Sequence, residues 1–219
     1  MVTIEHIPRT ESPSNRVVLH GVSWEQYEAL RDIEANYHIR MTFDQGALEM
    51  MSPSERHEET KRLIGRMIET LTEELEIPLR SRGSTTWKRP DLQRSLEADE
   101  CYYIKSLAAV ADRRTIDLRT DPPPDLAVES EYSRSIVDKL SIYASLSVPE
   151  VWRSDGTKIV SLHLGNDGRY QEHEFSWNLP FLRVADLGRF LVQFDGADET
   201  AWIRSFRAWV RETFAGKRF

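Results

Sequence analysis

The sequence predicts an α/β (α+β) domain with a mixed central sheet flanked by helices. Helical and strand-like patterns alternate along the chain, which is typical of this fold class. One long amphipathic helix is expected over residues 54–75, and acidic residues mark a strand at 125–131, where such folds usually place chemistry. The length of 219 residues fits one domain with a substantial core.

The N-terminal part contains an arm, a helix and a hairpin. Residues 1–15 are polar and contain two prolines, so we expect a flexible arm, followed by a single domain over 16–219 with C-terminal helices. Ser23 and Gln26 form a capping-box pattern that predicts a helix to about Ala35. Strands at 38–43 and 47–51 are joined at Gln45 and Gly46, which predicts a hairpin.

The long helix follows Pro53. Its apolar residues recur with helical spacing at Ile64, Met67, Ile68, Leu71 and Leu75. This pattern predicts one amphipathic helix whose apolar face packs on the sheet.

The second half alternates strands and helices. Short strands are expected at 77–82, 84–88 and 97–104, and a helix capped by Ser133 is expected to run to about Leu146. Further strands are predicted at 150–153, 159–164 and 170–175, with turns at glycines between them. Two helices end the chain, and the second, over 197–214, carries an aromatic stripe typical of core packing.

The charge of the chain argues against binding nucleic acid by bulk electrostatics. There are 29 basic and 36 acidic residues, for a net charge of −7. Residues 80–119 nevertheless have a local excess of three positive charges, since nine cations face six acids there. This segment is either a basic patch or a set of solvated loops and edges. The cations are Arg80, Arg82, Lys88, Arg89, Arg94, Lys105, Arg113, Arg114 and Arg119.

The sequence predicts a cytoplasmic protein with no membrane partner. No apolar run approaches the roughly 18 residues of a membrane span, and the first residues lack a secretory pattern. Cys101 is the only cysteine, so it cannot form an intramolecular disulfide, and its apolar surroundings indicate a buried side chain.

The most informative segment is the acidic strand. Side chains alternate along a strand, so Asp125, Glu129 and Glu131 share one face. Carboxylates two residues apart repel unless a cation or a proton lies among them, and a hard divalent ion such as Mg²⁺ is the simplest candidate. Asp99, on a strand about thirty residues earlier, would join them if the two strands pair.

Lys139 falls on the inward stripe of the predicted helix that follows this strand. A lysine there would pair with the acids, polarise a water or contact a phosphate. The alternative is an aliphatic stem that extends its charged end to solvent.

The ordered segments 83–86, 96–104, 123–129, 139–144 and 148–153 resemble the Uma-two family, which is described as one of restriction endonucleases. The resemblance implies the PD-(D/E)XK nuclease fold, with its mixed sheet, and a magnesium-dependent cut of DNA. By position, Asp99 and Glu129 would be the metal-binding acids and Lys139 the lysine moved onto a helix. Glu131 stands where the general nuclease pattern has lysine, and Ala98 replaces a proline.

The same resemblance draws attention to the start of the long helix. The family often has a histidine or an acid there, so His57 is a possible accessory residue; otherwise it is an exposed residue at a helix end. Asp125 is the other accessory candidate.

The leading hypothesis is a DNA endonuclease that uses Mg²⁺ or Mn²⁺, with Asp99, Glu129 and Glu131 as metal ligands and Lys139 assisting. One alternative is a nuclease-fold module that binds nucleic acid or protein and has lost efficient catalysis. Another is a hydrolase of some other phosphate ester, because the acids specify the metal more than the substrate. The aromatic terminal helix would also allow a homodimer.

Overall fold

The structure is a computed structural model that describes residues 3–6, 15–132, 135 and 137–216. It contains two six-stranded sheets and five α-helices within these residues. The helices are α1 (Trp24–Arg31), α2 (Glu55–Glu74), α3 (Lys139–Ser145), α4 (Ala185–Gln193) and α5 (Glu199–Phe214). None of the helices in the described part is both long and apolar enough to cross a membrane.

The first sheet is antiparallel, with strand order β1-β2-β4-β3-β7-β6. Its strands are β1 (Thr3–His6), β2 (Asn15–His20), β3 (Arg40–Asp44), β4 (Ala47–Ser52), β6 (Thr86–Arg89) and β7 (Arg94–Glu97). Gln45 and Gly46 join β3 to β4 with positive φ angles of 47° and 99°, as the predicted tight hairpin requires. Within the predicted N-terminal arm, β1 pairs with β2, and residues 7–14 lie outside the described residues.

The second sheet is mixed, which confirms the predicted fold class. Its order is β12-β11-β10-β9-β8-β5, with β9 and β10 parallel and the other pairs antiparallel. Its strands are β5 (Arg80–Ser81), β8 (Glu100–Tyr103), β9 (Leu126–Ser130), β10 (Glu150–Ser154), β11 (Ile159–Leu164) and β12 (Tyr170–His173). The sequence did not predict that the strands would divide into two sheets.

Helices cover both faces of the mixed sheet. On one face, Leu126, Val128 and Trp152 pack against α2, α4 and α5. On the other face, Ala127 and Val151 pack against α3 and against Trp87 of the first sheet. The aromatic stripe of α5 is buried in the first of these cores. The stripe is therefore not exposed for contact with a second copy, and the homodimer stays a prediction.

Local sequence signals explain most helix boundaries. Ser23 and Gln26 form the predicted capping box of α1, although α1 ends at Arg31 and a short 3₁₀ turn follows instead of helix to Ala35. The side chain of Ser54 caps α2 by accepting the main-chain N–H of His57. Asp138 caps α3, which is therefore shorter than predicted, and the expected cap Ser133 lies outside the described residues.

One predicted strand is wrong in a way that matters for the site. The predicted strand over 97–104 is interrupted: Glu97 ends β7 of the first sheet, and β8 of the second sheet begins at Glu100. Ala98 and Asp99 connect them, and both are fully buried. The chain therefore crosses between the sheets at Asp99, which places this side chain where the two sheets meet.

Candidate active site

The first part of the site is the pair formed by Glu129 and Lys139. Glu129 lies near the end of β9, and Lys139 is the first residue of α3. The Nζ atom of Lys139 donates a hydrogen bond to Oε2 of Glu129 at 2.7 Å, and the hydroxyl of Tyr143 donates to Oε1. Tyr143 is one helical turn after Lys139, so both donors point from the same face of α3. The solvent-exposed alternative for Lys139 is therefore wrong.

The second part is Asp99, at the crossing between the sheets. Its Oδ2 accepts the main-chain N–H of Ser130 at 2.6 Å, which joins Asp99 directly to the end of β9. Its Oδ1 accepts from Arg40 and lies 3.0 Å from Nε2 of His57. The predicted pairing of the two acidic segments is confirmed, because β8 and β9 are hydrogen-bonded neighbours.

Arg40 and His57 come from elements that precede Asp99 by many residues. Arg40 begins β3, and its Nη2 also binds Oε1 of Glu58 at 2.8 Å. His57 is only 2% exposed, so the alternative of a solvated histidine at the helix end is wrong. Two donors from distant parts of the sequence thus hold one buried carboxylate.

The buried charges shift the pKa values of these groups. Burial alone would raise the pKa of Asp99, but the hydrogen bond from His57 and the charge of Arg40 outweigh it and hold the pKa at about 2. Burial raises the pKa of Glu129, and the charge of Lys139 opposes this only in part. Burial favours neutral Lys139, but the charges of Glu129 and Asp99 outweigh it and raise the lysine pKa. Lys139 is therefore an ammonium ion at neutral pH, and cannot act as a general base there.

A pocket of about 300 Å³ opens onto this pair. Glu129, Glu131, Lys139, Tyr143 and Arg153 are among its lining residues. Asp99 is fully buried and does not belong to the described lining; it lies behind Glu129, with which it interacts electrostatically. We call this space the acid pocket.

The remaining predicted acids lie in different places. Glu131 lines the acid pocket, as the alternation of β9 predicts, and its Oε1 accepts the N–H of Ser135 at 3.3 Å. Its Oε2 accepts no hydrogen bond within the described residues. Asp125 is not part of the pocket: its carboxylate accepts the N–H groups of Ile104 and Ser106, at 2.7 and 2.8 Å, so it fixes a turn.

No residue of the basic segment 80–119 is among the described lining of the acid pocket. Arg80 and Arg82 donate to main-chain carbonyl groups between residues 110 and 114, so they hold a loop in place. Arg94 lines a neighbouring depression. The guanidinium that does line the acid pocket is Arg153, which lies outside that segment.

Sequence reasoning missed Arg40, Tyr143 and Arg153. Tyr143 was not singled out from the sequence, although its spacing of four residues from Lys139 is a signal for a shared face. Arg153 lies two residues after Val151 on β10, so the two share a face, and its register partner is Glu129. Arg40 has no comparable signal, because it reaches Asp99 through the pairing of β3 with β7, which local sequence does not reveal.

The donor chemistry of the acid pocket fits a hard divalent cation. Glu129 and Glu131 offer carboxylate oxygen atoms, which Mg²⁺ prefers, and Oε2 of Glu131 is free for a ligand within the described residues. Both oxygen atoms of Glu129 already accept hydrogen bonds from Lys139 and Tyr143. Among the described residues, no three histidine, cysteine, aspartate or glutamate side chains lie close enough to hold one ion. A metal ion would therefore replace at least one existing contact of Glu129.

The comparisons with known proteins give a family match. A family model described as "Uma2: Putative restriction endonuclease" matches residues 24–195. These residues include every side chain of the site described above. No curated protein matches the chain.

Proposed function

The chain belongs to the Uma2 family of restriction endonucleases, and from this we propose that it is a metal-dependent endonuclease that hydrolyses phosphodiester bonds in DNA. The mixed sheet with helices on both faces agrees with a restriction-endonuclease-like fold. The family supports nuclease activity as a class. The metal, the substrate and the residue roles are the proposal.

The observation that carries the proposal is the convergence of Asp99, Glu129 and Lys139. Three residues from a sheet crossing, a strand and a helix meet through the 2.6 Å contact at Ser130 and the 2.7 Å contact at Lys139. Burial of two carboxylates and an ammonium ion at one place is costly, and a merely structural core would be more stable with apolar residues there. The presence of these charges at one place supports a chemical role.

The proposed roles follow from exposure and charge. Glu129 and Glu131 face the acid pocket and would hold Mg²⁺ or Mn²⁺, with Asp99 supporting Glu129 from behind. The bound ion would supply positive charge to a phosphate and a site for the attacking water. Lys139, as an ammonium ion, would stabilise negative charge that develops on the phosphate oxygen atoms. Glu131, the acid with a free oxygen atom, would orient the water.

His57 and Arg40 act as positioning residues in this proposal. They bind Oδ1 of Asp99 and leave its Oδ2 to the main chain of β9. Neither belongs to the described lining of the acid pocket, so neither needs to touch the substrate.

The experiment that tests the proposal is cleavage of supercoiled and linear DNA by the purified protein with Mg²⁺ or Mn²⁺. A chelator and the Glu129→Ala variant serve as negative controls, and Glu172→Ala, on the exposed part of β12, serves as a matched control. Nicking that requires the metal and Glu129, but not Glu172, would support the proposal. Absence of cleavage together with absence of Mg²⁺ binding by calorimetry would contradict it.

One observation favours a second candidate, a nuclease-fold module that binds nucleic acid with little catalysis. Every oxygen atom of Asp99 and Glu129 already accepts a hydrogen bond from the protein. DNA binding without metal-dependent cleavage in the same experiment would select this candidate.

A further inference from the structure

A groove leads away from the acid pocket along α3. The acid pocket shares Asp138 and Leu140 with a depression of about 650 Å³. That depression shares Arg94 and Ser145 with a third one of about 560 Å³, beside the hairpin turn at Gly46. The three spaces therefore adjoin one another, and we call them together the α3 groove.

Several charged residues along the α3 groove already have partners. Lys139 is paired with Glu129, and Nε of Arg94 lies 2.8 Å from Oδ1 of Asp44. Asp138 caps α3 by accepting the N–H of Ser141 at 3.2 Å. These groups keep the groove in shape. Glu131 and Asp167 also line the groove and form no ion pair in the part of the chain that the structure describes, so they contribute negative charge.

Arg153 and Arg169 are the cations of the described lining that have no such partner. Both side chains line the groove, and both residues are exposed. Their guanidinium groups make no ion pair or side-chain hydrogen bond in the part of the chain that the structure describes. Both charges are therefore free for a ligand.

Arg153 lies beside two carboxylates but forms no ion pair with either of them in the described part of the chain. In the parallel pairing of β9 and β10, Arg153 is the register partner of Glu129, and Glu131 lines the same pocket. A guanidinium beside two carboxylates would ordinarily form an ion pair. Arg153 instead remains directed to the open pocket, where a planar donor of this kind suits a phosphate.

We propose that one strand of DNA lies in the α3 groove, with its phosphates bound by Arg153 beside the acid pocket and by Arg169 farther along. This inference rests on the proposed function, and it adds the path of the substrate. The two arginines lie at opposite ends of the β10–β12 strands, separated by five residues of strand rise and two strand spacings, or about 19 Å. At about 3.4 Å of axial rise per phosphate of one strand of a duplex, that distance corresponds to about five to six nucleotide steps.

The two unpaired guanidinium groups favour an occupant that carries phosphates, while the proposed function assigns a metal ion to the acids Glu129 and Glu131 of the same lining. The chain is acidic as a whole, with a net charge of −7, so binding of a polyanion requires local free cations. The α3 groove provides two of them along a continuous surface that begins at the proposed catalytic residues. An acidic peptide could bind the same two arginines. Only a DNA strand, however, would also explain why the groove begins at the pocket where the proposed function places phosphodiester hydrolysis.

The test measures DNA binding without cleavage. A fluorescein-labelled duplex of about 20 base pairs is titrated with the full chain in a chelator, at several salt concentrations between about 50 and 200 mM, and fluorescence anisotropy gives Kd. The variants are Arg153→Ala, Arg169→Ala and the double variant. Arg204→Ala is the matched control, because Arg204 is exposed on α5, on the other side of the mixed sheet. A single-stranded probe of the same sequence is run in parallel.

Each single variant is expected to lower the slope of log Kd against log salt by about 0.9, the value for one lost phosphate contact, and the double variant by about twice that. Arg153→Lys is expected to keep the slope of the wild type, because it keeps the charge. Arg204→Ala is expected to bind as the wild type does.

The inference is overturned if Arg153→Ala and Arg169→Ala bind with the affinity and salt slope of the wild type, or if Arg204→Ala weakens binding as much as they do. Binding that depends on both arginines, without cleavage when Mg²⁺ is added, would contradict the proposed catalysis and leave the groove assignment intact. A wild type that binds neither duplex nor single strand would contradict both.

Discussion

The Nζ atom of Lys139 lies 2.7 Å from Oε2 of Glu129, and both side chains are almost fully buried at the mouth of the acid pocket. The two residues come from α3 and β9, and Tyr143 completes the coordination of the carboxylate from the same helix. This arrangement places one ammonium ion and one carboxylate where a phosphate and a metal ion would bind in the proposed reaction. It also makes the ammonium ion of Lys139 and a bound metal ion competitors for the carboxylate of Glu129.

Replacement of Lys139 with methionine is expected to strengthen binding of Mg²⁺ by about tenfold or more, because the methionine removes a cation that competes for Glu129. The same variant is expected to lose cleavage. Isothermal calorimetry measures the affinity, and circular dichroism checks that the variant is folded. Lys88→Met, which removes the same charge from the surface pair with Glu28, should leave the metal affinity unchanged. Weaker Mg²⁺ binding in a folded Lys139→Met protein would refute the idea of competition.

Removal of the Tyr143 hydroxyl is expected to lower the free energy of unfolding by about 1.5 to 3 kcal/mol, the range for a hydrogen bond to a charged group. Urea denaturation of Tyr143→Phe measures this loss. Tyr37→Phe is the control, because Tyr37 is 72% exposed. Equal stability of the two variants would show that the Tyr143 contact does not hold Glu129.

Loss of the imidazole of His57 is expected to destabilise the protein by about 1 to 3 kcal/mol, because the buried carboxylate of Asp99 loses a donor at 3.0 Å. His57→Leu is compared with His38→Leu, since His38 is exposed. Chemical denaturation gives both values. A destabilisation no larger than that of the control would mean that His57 does not support Asp99.

Asp99 makes stability depend on pH in the acid range. Its pKa in the folded protein, about 2, is below the ordinary value of 3.8, so the folded state favours the ionised form. The resulting stabilisation is present above about pH 4 and is lost as the pH falls toward 2. Asp99→Asn is therefore expected to be less stable than the wild type at neutral pH and to show a shallower fall in stability between pH 4 and 2.

Urea denaturation at a series of pH values measures this effect. Asp112→Asn, at an exposed position, is expected to follow the wild-type curve. If Asp99→Asn has the same pH profile as the wild type over this window, Asp99 does not carry the acid-range stabilisation.

The sequence was sufficient for the elements that local patterns determine. The periodic apolar residues of α2 and the alternation along β9 identified a helix and an acidic strand face, and the stripe position of Lys139 indicated an inward lysine. These features depend on residues close together in the chain. For the same reason, the capping box of α1 and the Gln45–Gly46 turn were found in the structure as expected.

The features that the sequence did not reveal depend on how distant segments pack. Nothing local marks Asp99 as the point where the chain leaves one sheet and enters the other. Arg40 reaches Asp99 from a residue separation of 59, so spacing gives no hint of the contact. The sequence left two interpretations of the basic segment open, because net charge cannot show that Arg80 and Arg82 use their charges on the carbonyl groups of a loop.

The most direct test of the central claim is cleavage of supercoiled DNA by the wild type and by Glu129→Ala, each with Mg²⁺ and with a chelator. The account predicts that the wild type nicks the DNA only with the metal and that the variant does not, while circular dichroism shows both proteins to be folded. Equal metal-dependent cleavage by the two proteins would contradict the assignment of Glu129, and no cleavage by the wild type with either Mg²⁺ or Mn²⁺ would contradict the proposed endonuclease activity.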